Sequence, residues 1–174
     1  MLLMKNLFLF LVFSFGLINI ECKTDVADAN SIAGYVVGIA DGDTFTLLTK
    51  SKQQVKIRLY GIDCPEKKQD FGQVAKQKLS ALIFNTNVTA KKINIDRYGR
   101  TVAIVYDASK NCINEELLRT GLAWHYKKYD NNPAWEKLQN DARKNKSGLW
   151  SQPNPVAPWD YRMMKKTIHH EKQS

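Results

Sequence analysis

The stretch over residues 41–66 limits the possible folds more than any other part of the chain. Two runs rich in apolar and β-branched residues, 44–49 and 55–60, flank the turn-forming sequence Ser-Lys-Gln-Gln, and in the second run apolar and polar residues alternate. Such a pattern is typical of a β-hairpin. With a further strand predicted over 35–39, the hairpin would form a three-stranded meander that can curve strongly.

Acidic residues lie at both ends of this hairpin. Asp41 and Asp43 precede its first strand, and Asp63 and Glu66 follow its second strand. Because a hairpin returns the chain to the edge where it began, we expect these carboxylates to lie close together. The alternation also places Arg58 on the polar face of the second strand, opposite the apolar side chains.

Helical spacing of apolar residues predicts three helices after the meander. The first follows Asp70, a good N-cap residue, and the second carries Ile113 and Leu117. The third begins at Pro133, directly after the cap residue Asn132. A helix is therefore inserted after the third strand, and two more lie towards the end of the chain.

Two further strands are predicted over 88–95 and 101–106, and the aromatic stretch 122–132 is predicted to be irregular. Five strands and three helices in this order indicate the α+β class. A closed five-stranded β-barrel of the OB-fold type leaves the fewest strand edges open, so we predict that barrel with three α-helices around it.

The two ends of the chain differ from the domain between them. Residues 7–20, after Lys5, are almost all apolar, a length suited to the apolar core of a signal peptide. Residues 1–29 are therefore predicted to be a signal peptide cleaved after Cys22 or Ala29. An uncleaved N-terminal anchor is the alternative. The interpretation predicts an exported protein, secreted or periplasmic, without stable membrane insertion after cleavage.

The remaining chain is predicted to form one domain over 30–162, followed by a disordered basic tail over 163–174. Prolines at 153, 155 and 158 indicate an extended segment before the tail. The domain carries the positive charge, because the net charge of +9 is unchanged when residues 1–22 are removed with one lysine and one glutamate. This charge favours a polyanionic partner such as nucleic acid, an anionic membrane surface or an acidic polysaccharide, although it could also serve solubility alone.

Cysteine usage leaves the redox state open. After cleavage, Cys64 and Cys112 remain, and they could form a disulfide or stay as two free buried thiols. The spacing contains no CxxC or Cys/His cluster, which argues against a structural zinc site.

The acidic residues and two arginines could form a metal-dependent phosphate site. Crowded carboxylates repel one another unless a cation lies among them, which makes Asp43 and Asp63 candidate ligands of Ca²⁺ or Mg²⁺, with Ca²⁺ favoured by a flexible loop. Arg58 and Arg100 could clamp a phosphate through paired hydrogen bonds. Each residue alone has a plainer interpretation, because aspartate is common in turns and arginine on surfaces.

Five motifs occur in order along residues 34–150, namely DGDT, RLYGIDCPE, DRYGR, NEELLRTGLAW and GLW. Together they resemble those of the staphylococcal, or thermonuclease-type, nuclease family. The resemblance implies an OB-fold barrel with three helices and calcium-dependent hydrolysis of DNA and RNA. It also implies that the 5′ oxygen leaves and that the phosphate stays at the 3′ end.

The resemblance also implies roles for individual residues. Asp43, Asp63 and the backbone carbonyl of Cys64 would bind Ca²⁺, and Glu66 would hold or activate the attacking water as general base. Arg58 and Arg100 would be catalytic residues that clamp the phosphate and stabilise the transition state. Tyr98, Tyr126 and Tyr129 would line a nucleotide subsite, although the tyrosines of the WHYKKYD loop are spaced differently from those of the family's type member.

Three functional interpretations remain. The first is a monomeric exported nuclease acting on single-stranded or frayed DNA and RNA. The second is a non-catalytic OB-fold module that binds nucleic acid. Such a module would be expected to lack some of the five proposed catalytic and metal-binding residues, which are Asp43, Arg58, Asp63, Glu66 and Arg100. The third is a basic envelope protein, which has no use for a carboxylate cluster. His125, a lone histidine beside a tryptophan, is predicted to be a packing residue.

Overall fold

A closed β-barrel forms the centre of the computed structural model, which describes residues 30–171. The strands of this region are β1 (Ser31–Ile39), β2 (Thr44–Thr49), β3 (Gln54–Leu59), β4 (Ile62–Asp63), β5 (Asn87–Ile95), β6 (Thr101–Tyr106) and β7 (Trp124–His125). Five of these described strands close the barrel in the order β1-β2-β3-β6-β5, with β3 and β6 parallel and the other pairs antiparallel. The α+β class and the five-stranded OB-type barrel are confirmed. The predicted signal peptide, 1–29, lies outside the described residues.

The β2–β3 hairpin is the one that the alternation predicts. Phe45 lies opposite Ile57, and both side chains are fully buried in the barrel. Thr44 lies opposite Arg58, whose side chain leaves the other face of the sheet. The hairpin therefore brings Asp43, the residue before β2, to the end of β3.

The helices number four within residues 30–171, where three were predicted. They are α1 (Gly72–Ile83), α2 (Ile113–Arg119), α3 (Pro133–Lys144) and α4 (Pro158–Glu171), with a 3₁₀ turn over Gly148–Ser151. The structure thus has a helix where the sequence predicted an extended segment and a disordered tail. Pro158 occupies the first helical position, where a missing N–H costs nothing, and Asp160 favours the positive end of the helix dipole. Among the described residues, no helix combines the length and apolar character needed to cross a membrane.

The start of α1 differs from the prediction that Asp70 caps it. The N-cap residue is Phe71, in a left-handed conformation with φ of 63°. Asp70 instead accepts a hydrogen bond at 2.8 Å from Nε2 of Gln152 and so connects the loop before α1 to the segment after α3. The predicted cap of α3 is correct, because Asn132 Oδ1 accepts a hydrogen bond from the backbone N–H of Ala134.

The aromatic stretch predicted to be irregular contains β7, which pairs with β4 beside the barrel. In this short antiparallel pair, Asp63 lies opposite Trp124 and Ile62 opposite His125. His125 is buried, with its Nε2 2.7 Å from Asp130 Oδ2, as a packing residue would be. The pair holds the aromatic stretch beside Asp63.

Candidate active site

Two buried carboxylates and one arginine form the centre of the site, at the end of the barrel where β2 begins and β3 ends. Asp43 and Asp63 are only 2% and 0% exposed. Nη1 of Arg58 lies 2.8 Å from Oδ1 of Asp43, and Nη2 lies 2.7 Å from Oδ1 of Asp63. The structure thus brings together the two predicted carboxylate ligands and one predicted phosphate clamp.

Hydrogen bonds fix the position of Asp43. The backbone N–H of Leu59 donates to the carbonyl oxygen of Asp43 at 2.9 Å. The backbone N–H of Cys64 donates to Oδ2 of Asp43, also at 2.9 Å. Burial raises the pKa of Asp43 to about 6, although Arg58 opposes the shift; Asp41 adds to it. Burial disfavours the ionised form, and a second cation placed beside this carboxylate would lower its pKa, as Arg58 already does.

Neighbouring charges also set the ionisation of Arg58 and Cys64. Burial lowers the pKa of Arg58, but Asp43 and Asp63 together raise it above its ordinary value, so the guanidinium keeps its charge. Burial, reinforced by Asp43, raises the pKa of the Cys64 thiol well above its usual range. Its Sγ donates to the carbonyl of Gly42 at 3.3 Å, and a neutral, buried thiol is a poor nucleophile. Cys64 and Cys112 are free in this structure.

Glu66 is connected to this centre by Arg162, a residue to which the sequence analysis gave no role. Nη1 of Arg162 lies 2.7 Å from Oε1 of Glu66, and Nη2 lies 2.7 Å from Oδ2 of Asp63. Nη1 also donates to Oδ1 of Asp63 at 3.3 Å. Burial lowers the pKa of Arg162, but Asp63 and Glu66 together raise it above its ordinary value. Arg162 therefore occupies the space between a predicted metal ligand and the predicted general base.

Arg100 lies one residue before β6 and is held by a neighbouring aspartate. Its Nε is 2.7 Å from Oδ2 of Asp96. Burial raises the pKa of Asp96, but hydrogen bonds from Arg100 and from the backbone N–H of Tyr98 outweigh it and lower the pKa below its ordinary value. In the parallel β3–β6 pair, Val102 lies opposite Arg58. Arg100 lies two residues before Val102, so from strand alternation we expect its side chain on the face that carries Arg58. Its anchor is Asp96 rather than the central carboxylates.

Tyr98 lies in the turn between β5 and β6 and is 69% exposed. The guanidinium groups of Arg97 and Arg100 lie 4.9 and 5.4 Å from the centre of its ring. The structure therefore joins Tyr98 to Arg100 and leaves much of its ring open to a ligand.

Tyr126 and Tyr129 form a second aromatic group, with ring centres 5.0 Å apart and nearly perpendicular planes. Tyr129 is 60% exposed. The ring of Trp159, from α4, stacks on Tyr126 with centres 4.9 Å apart and planes 7° from parallel. The sequence analysis did not single out Trp159.

Trp159 and Arg162 had a signal in the sequence. They are three residues apart, so they lie on one face of a helix, and Pro158 followed by Asp160 is a helix start. The prediction of an extended segment gave more weight to the three nearby prolines than to this helical pattern.

The donors at this site fit a hard divalent cation by their chemistry. Asp43 and Asp63 offer carboxylate oxygens, the ligands that calcium prefers. Oxygens of Asp63 and Glu66 already converge on one cationic group, the guanidinium of Arg162. Within residues 30–171, however, no group of three or more His, Cys, Asp or Glu side chains is arranged to hold a metal ion. A cation held by Asp63 would have to share or displace the contacts that Arg162 makes with its oxygens.

Comparison with known proteins gives the family. The profile described as "Staphylococcal nuclease homologue" matches residues 56–152. An "Uncharacterized endonuclease" of Haemophilus influenzae is 44% identical over 131 residues, covering 75% of this chain and 73% of the relative. A protein of the same description from Escherichia coli O157:H7 is 42% identical over 134 residues, covering 77% and 87%. A "Micrococcal nuclease" of Shigella flexneri is 36% identical over 143 residues, covering 76% and 82%. On its barrel, its carboxylate–arginine centre and these matches, the chain belongs to the staphylococcal nuclease family.

Proposed function

We propose that the chain is a calcium-dependent phosphodiesterase that hydrolyses DNA and RNA and leaves 3′-phosphate ends. The observation that carries the proposal is the convergence of Asp43, Arg58, Asp63 and Glu66 at one end of the barrel. Relatives named endonuclease and micrococcal nuclease support nucleic acid as the substrate class.

Each group at the site has a task in this reaction. Calcium, held by Asp43, Asp63 and the carbonyl of Cys64, would supply a Lewis acid at the phosphate. Glu66, whose side chain is 39% exposed, accepts a proton from the attacking water as general base. Arg58 and Arg100 donate to the phosphate oxygens and stabilise the charge that builds up in the transition state.

The surroundings of the site suit a single nucleic acid strand. Tyr98 and Tyr129 are exposed rings on which bases can stack whatever their identity, and Tyr126 lies next to Tyr129. The net charge of +9 attracts a polyanion and speeds its encounter with the site. We therefore propose single-stranded or frayed DNA and RNA as substrates of a monomeric enzyme.

The proposal is tested by incubating the purified mature protein with end-labelled single-stranded DNA and RNA, in calcium or in a chelator. We expect cleavage in calcium alone, and products that a polymerase extends only after phosphatase treatment. Glu66→Gln is expected to lower turnover by about 10²-fold, the usual loss on removing a general base. Glu136→Gln, an exposed carboxylate on α3, is the matched control and should retain full activity.

Binding without cleavage in calcium would contradict the enzymatic proposal and favour the non-catalytic nucleic-acid-binding module. Cleavage that survives the chelator would contradict the calcium dependence alone.

We also propose that the domain acts outside the cytoplasm, since residues 1–29 have the composition of a signal peptide. Mass spectrometry of the protein from the periplasm and the medium should find an N-terminus after Cys22 or Ala29. Full-length protein confined to the cytoplasm would contradict export.

A further inference from the structure

Arg162 holds the same oxygens that the proposed reaction needs. Its guanidinium donates to both oxygens of Asp63, at 3.3 and 2.7 Å, and to Oε1 of Glu66 at 2.7 Å. Asp63 is the proposed calcium ligand and Glu66 the proposed general base. Calcium bound by Asp63 would need at least one of its two carboxylate oxygens, and Arg162 donates to both of them. Arg162 and calcium therefore compete for Asp63.

Trp159 covers a ring that the proposed nucleotide subsite needs. The parallel contact between Trp159 and Tyr126, with ring centres 4.9 Å apart, leaves no space for a base between them. A base stacks on an aromatic ring in the same way. Trp159 thus occupies one face of Tyr126 as a nucleobase would.

Outside the site, the described contacts of α4 lie in its first turns, where Pro158 is buried, and the chain just before the helix is held by Gln69, whose Nε2 donates to the carbonyl of Val156 at 2.7 Å. Tyr161 donates its hydroxyl to the carbonyl of Lys68 at 3.1 Å, and the edge of Trp159 meets Trp124 with ring centres 5.6 Å apart. The next part of the helix is exposed, with Met163 and Met164 at 60% and 53%. A terminal helix that is anchored by its first turns alone is expected to open before the core does.

We propose that α4 is an internal competitor for two ligands of the resting protein. Arg162 holds the Asp63 oxygens that calcium would need, Trp159 takes the place of a base on Tyr126, and calcium and single-stranded nucleic acid bind by displacing the helix. The proposal rests on the proposed function. Its consequence is that each ligand's apparent association constant equals the intrinsic constant multiplied by the fraction of molecules in which α4 is undocked.

Calcium affinity tests the part played by Arg162. Isothermal titration calorimetry of the full mature chain, without nucleic acid, would compare the wild type with Arg162→Ala. We expect about tenfold tighter calcium binding in the variant, because a competing cation with several charge-assisted hydrogen bonds is removed. Lys166→Ala removes an exposed cation from the same helix and should bind calcium as the wild type does.

Nucleic acid affinity tests the part played by Trp159. Fluorescence anisotropy of a labelled oligodeoxythymidylate, measured in chelator so that nothing is cleaved, should show tighter binding to Trp159→Ala than to the wild type. Tyr161→Phe removes only the hydroxyl contact with Lys68, so it loosens α4 without changing the site. This variant should tighten the binding of both ligands by a smaller factor, and it keeps the test valid if Trp159→Ala does not fold.

The outcomes separate this inference from the proposed function. If the wild type binds calcium and cleaves DNA but Arg162→Ala binds calcium equally or more weakly, the inference is overturned and the proposed function stands. Weaker oligonucleotide binding by Trp159→Ala would likewise overturn the competition and make Trp159 part of the substrate platform. If neither the wild type nor Arg162→Ala binds calcium, the calcium site itself is refuted.

Discussion

Arg58 illustrates how one side chain can hold the centre of a site. Its two terminal nitrogens contact different buried carboxylates, those of Asp43 and Asp63. A planar guanidinium spans such a pair, whereas the ammonium group of lysine acts as a single point charge. Leaving either buried carboxylate without its partner would be strongly destabilising. In the proposed reaction, Arg58 therefore organises the carboxylates as well as binding the phosphate.

Arg100 allows the phosphate-binding role to be tested without disturbing that buried pair. Arg100→Lys should lower turnover about 10²–10³-fold, because lysine cannot reproduce the two-point contact with the transition state. Steady-state cleavage of a labelled oligonucleotide measures the effect. Arg97→Lys changes the neighbouring arginine over the Tyr98 ring and should leave turnover nearly unchanged. If Arg100→Lys and Arg97→Lys both retained wild-type turnover, Arg100 would have no part in the mechanism.

The pKa of Asp43 predicts a pH dependence of stability in the calcium-free protein. The folded state raises this pKa from 3.8 to about 6, chiefly through burial, so between these values the folded protein binds more protons than the unfolded chain. The stabilising contribution is present below pH about 4 and is lost as the pH rises through about 6. Relative to Asp43→Asn, the free energy of unfolding of the wild type should fall by up to about 3 kcal/mol over this interval. Urea unfolding at several pH values measures it, and a parallel pH dependence in the two proteins would contradict the prediction.

At the scale of elements, the first residue of α1 restricts where the Glu66 loop can lie. A Cβ atom on Gly72 would be 1.9 Å from the carbonyl oxygen of Glu66, far inside van der Waals contact. The helix can begin this close to the loop only because the residue there is glycine. Close packing of α1 thus helps to position the backbone of the proposed general base.

Gly72→Ala is expected to push the Glu66 backbone away, with a loss of at least about 1–3 kcal/mol in stability, the usual cost of overpacking. Turnover should fall together with stability, because a small misplacement of a catalytic group is costly. Gly38→Ala is the matched control, since its added Cβ meets only Thr46 at 4.0 Å. Thermal unfolding and oligonucleotide cleavage test both variants, and full activity of Gly72→Ala would refute the positioning effect.

Local sequence patterns predicted the elements that depend on local chemistry. The β2–β3 alternation, the Asn132 cap and the proximity of Asp43 to Asp63 all follow from neighbouring residues and hairpin geometry. Contacts between distant segments were not predictable in this way. The β4–β7 pair and the approach of α4 to Asp63 depend on tertiary packing, which overrides the weak local preference of short or proline-containing segments.

At the scale of the whole molecule, the net charge of +9 governs encounters with nucleic acid. Binding that releases counterions weakens steeply with added salt. In chelator, the affinity for a single-stranded oligonucleotide should fall at least about tenfold between 50 and 200 mM salt. Fluorescence anisotropy over this range measures the slope. An affinity independent of salt would contradict a phosphate-directed interaction.

The parallel seam between β3 and β6 connects parts of the chain separated by α1 and β5. Contacts at long sequence separation pay a larger loop-closure cost than a hairpin, so this seam is expected to form late in folding. Arg58 lies in β3 and Arg100 directly precedes β6, so the segments that carry the two arginines come side by side only when the seam forms. In the proposed reaction, a newly made chain with its hairpins in place but its barrel open would lack this arrangement, so it would not hydrolyse nucleic acid before folding is complete.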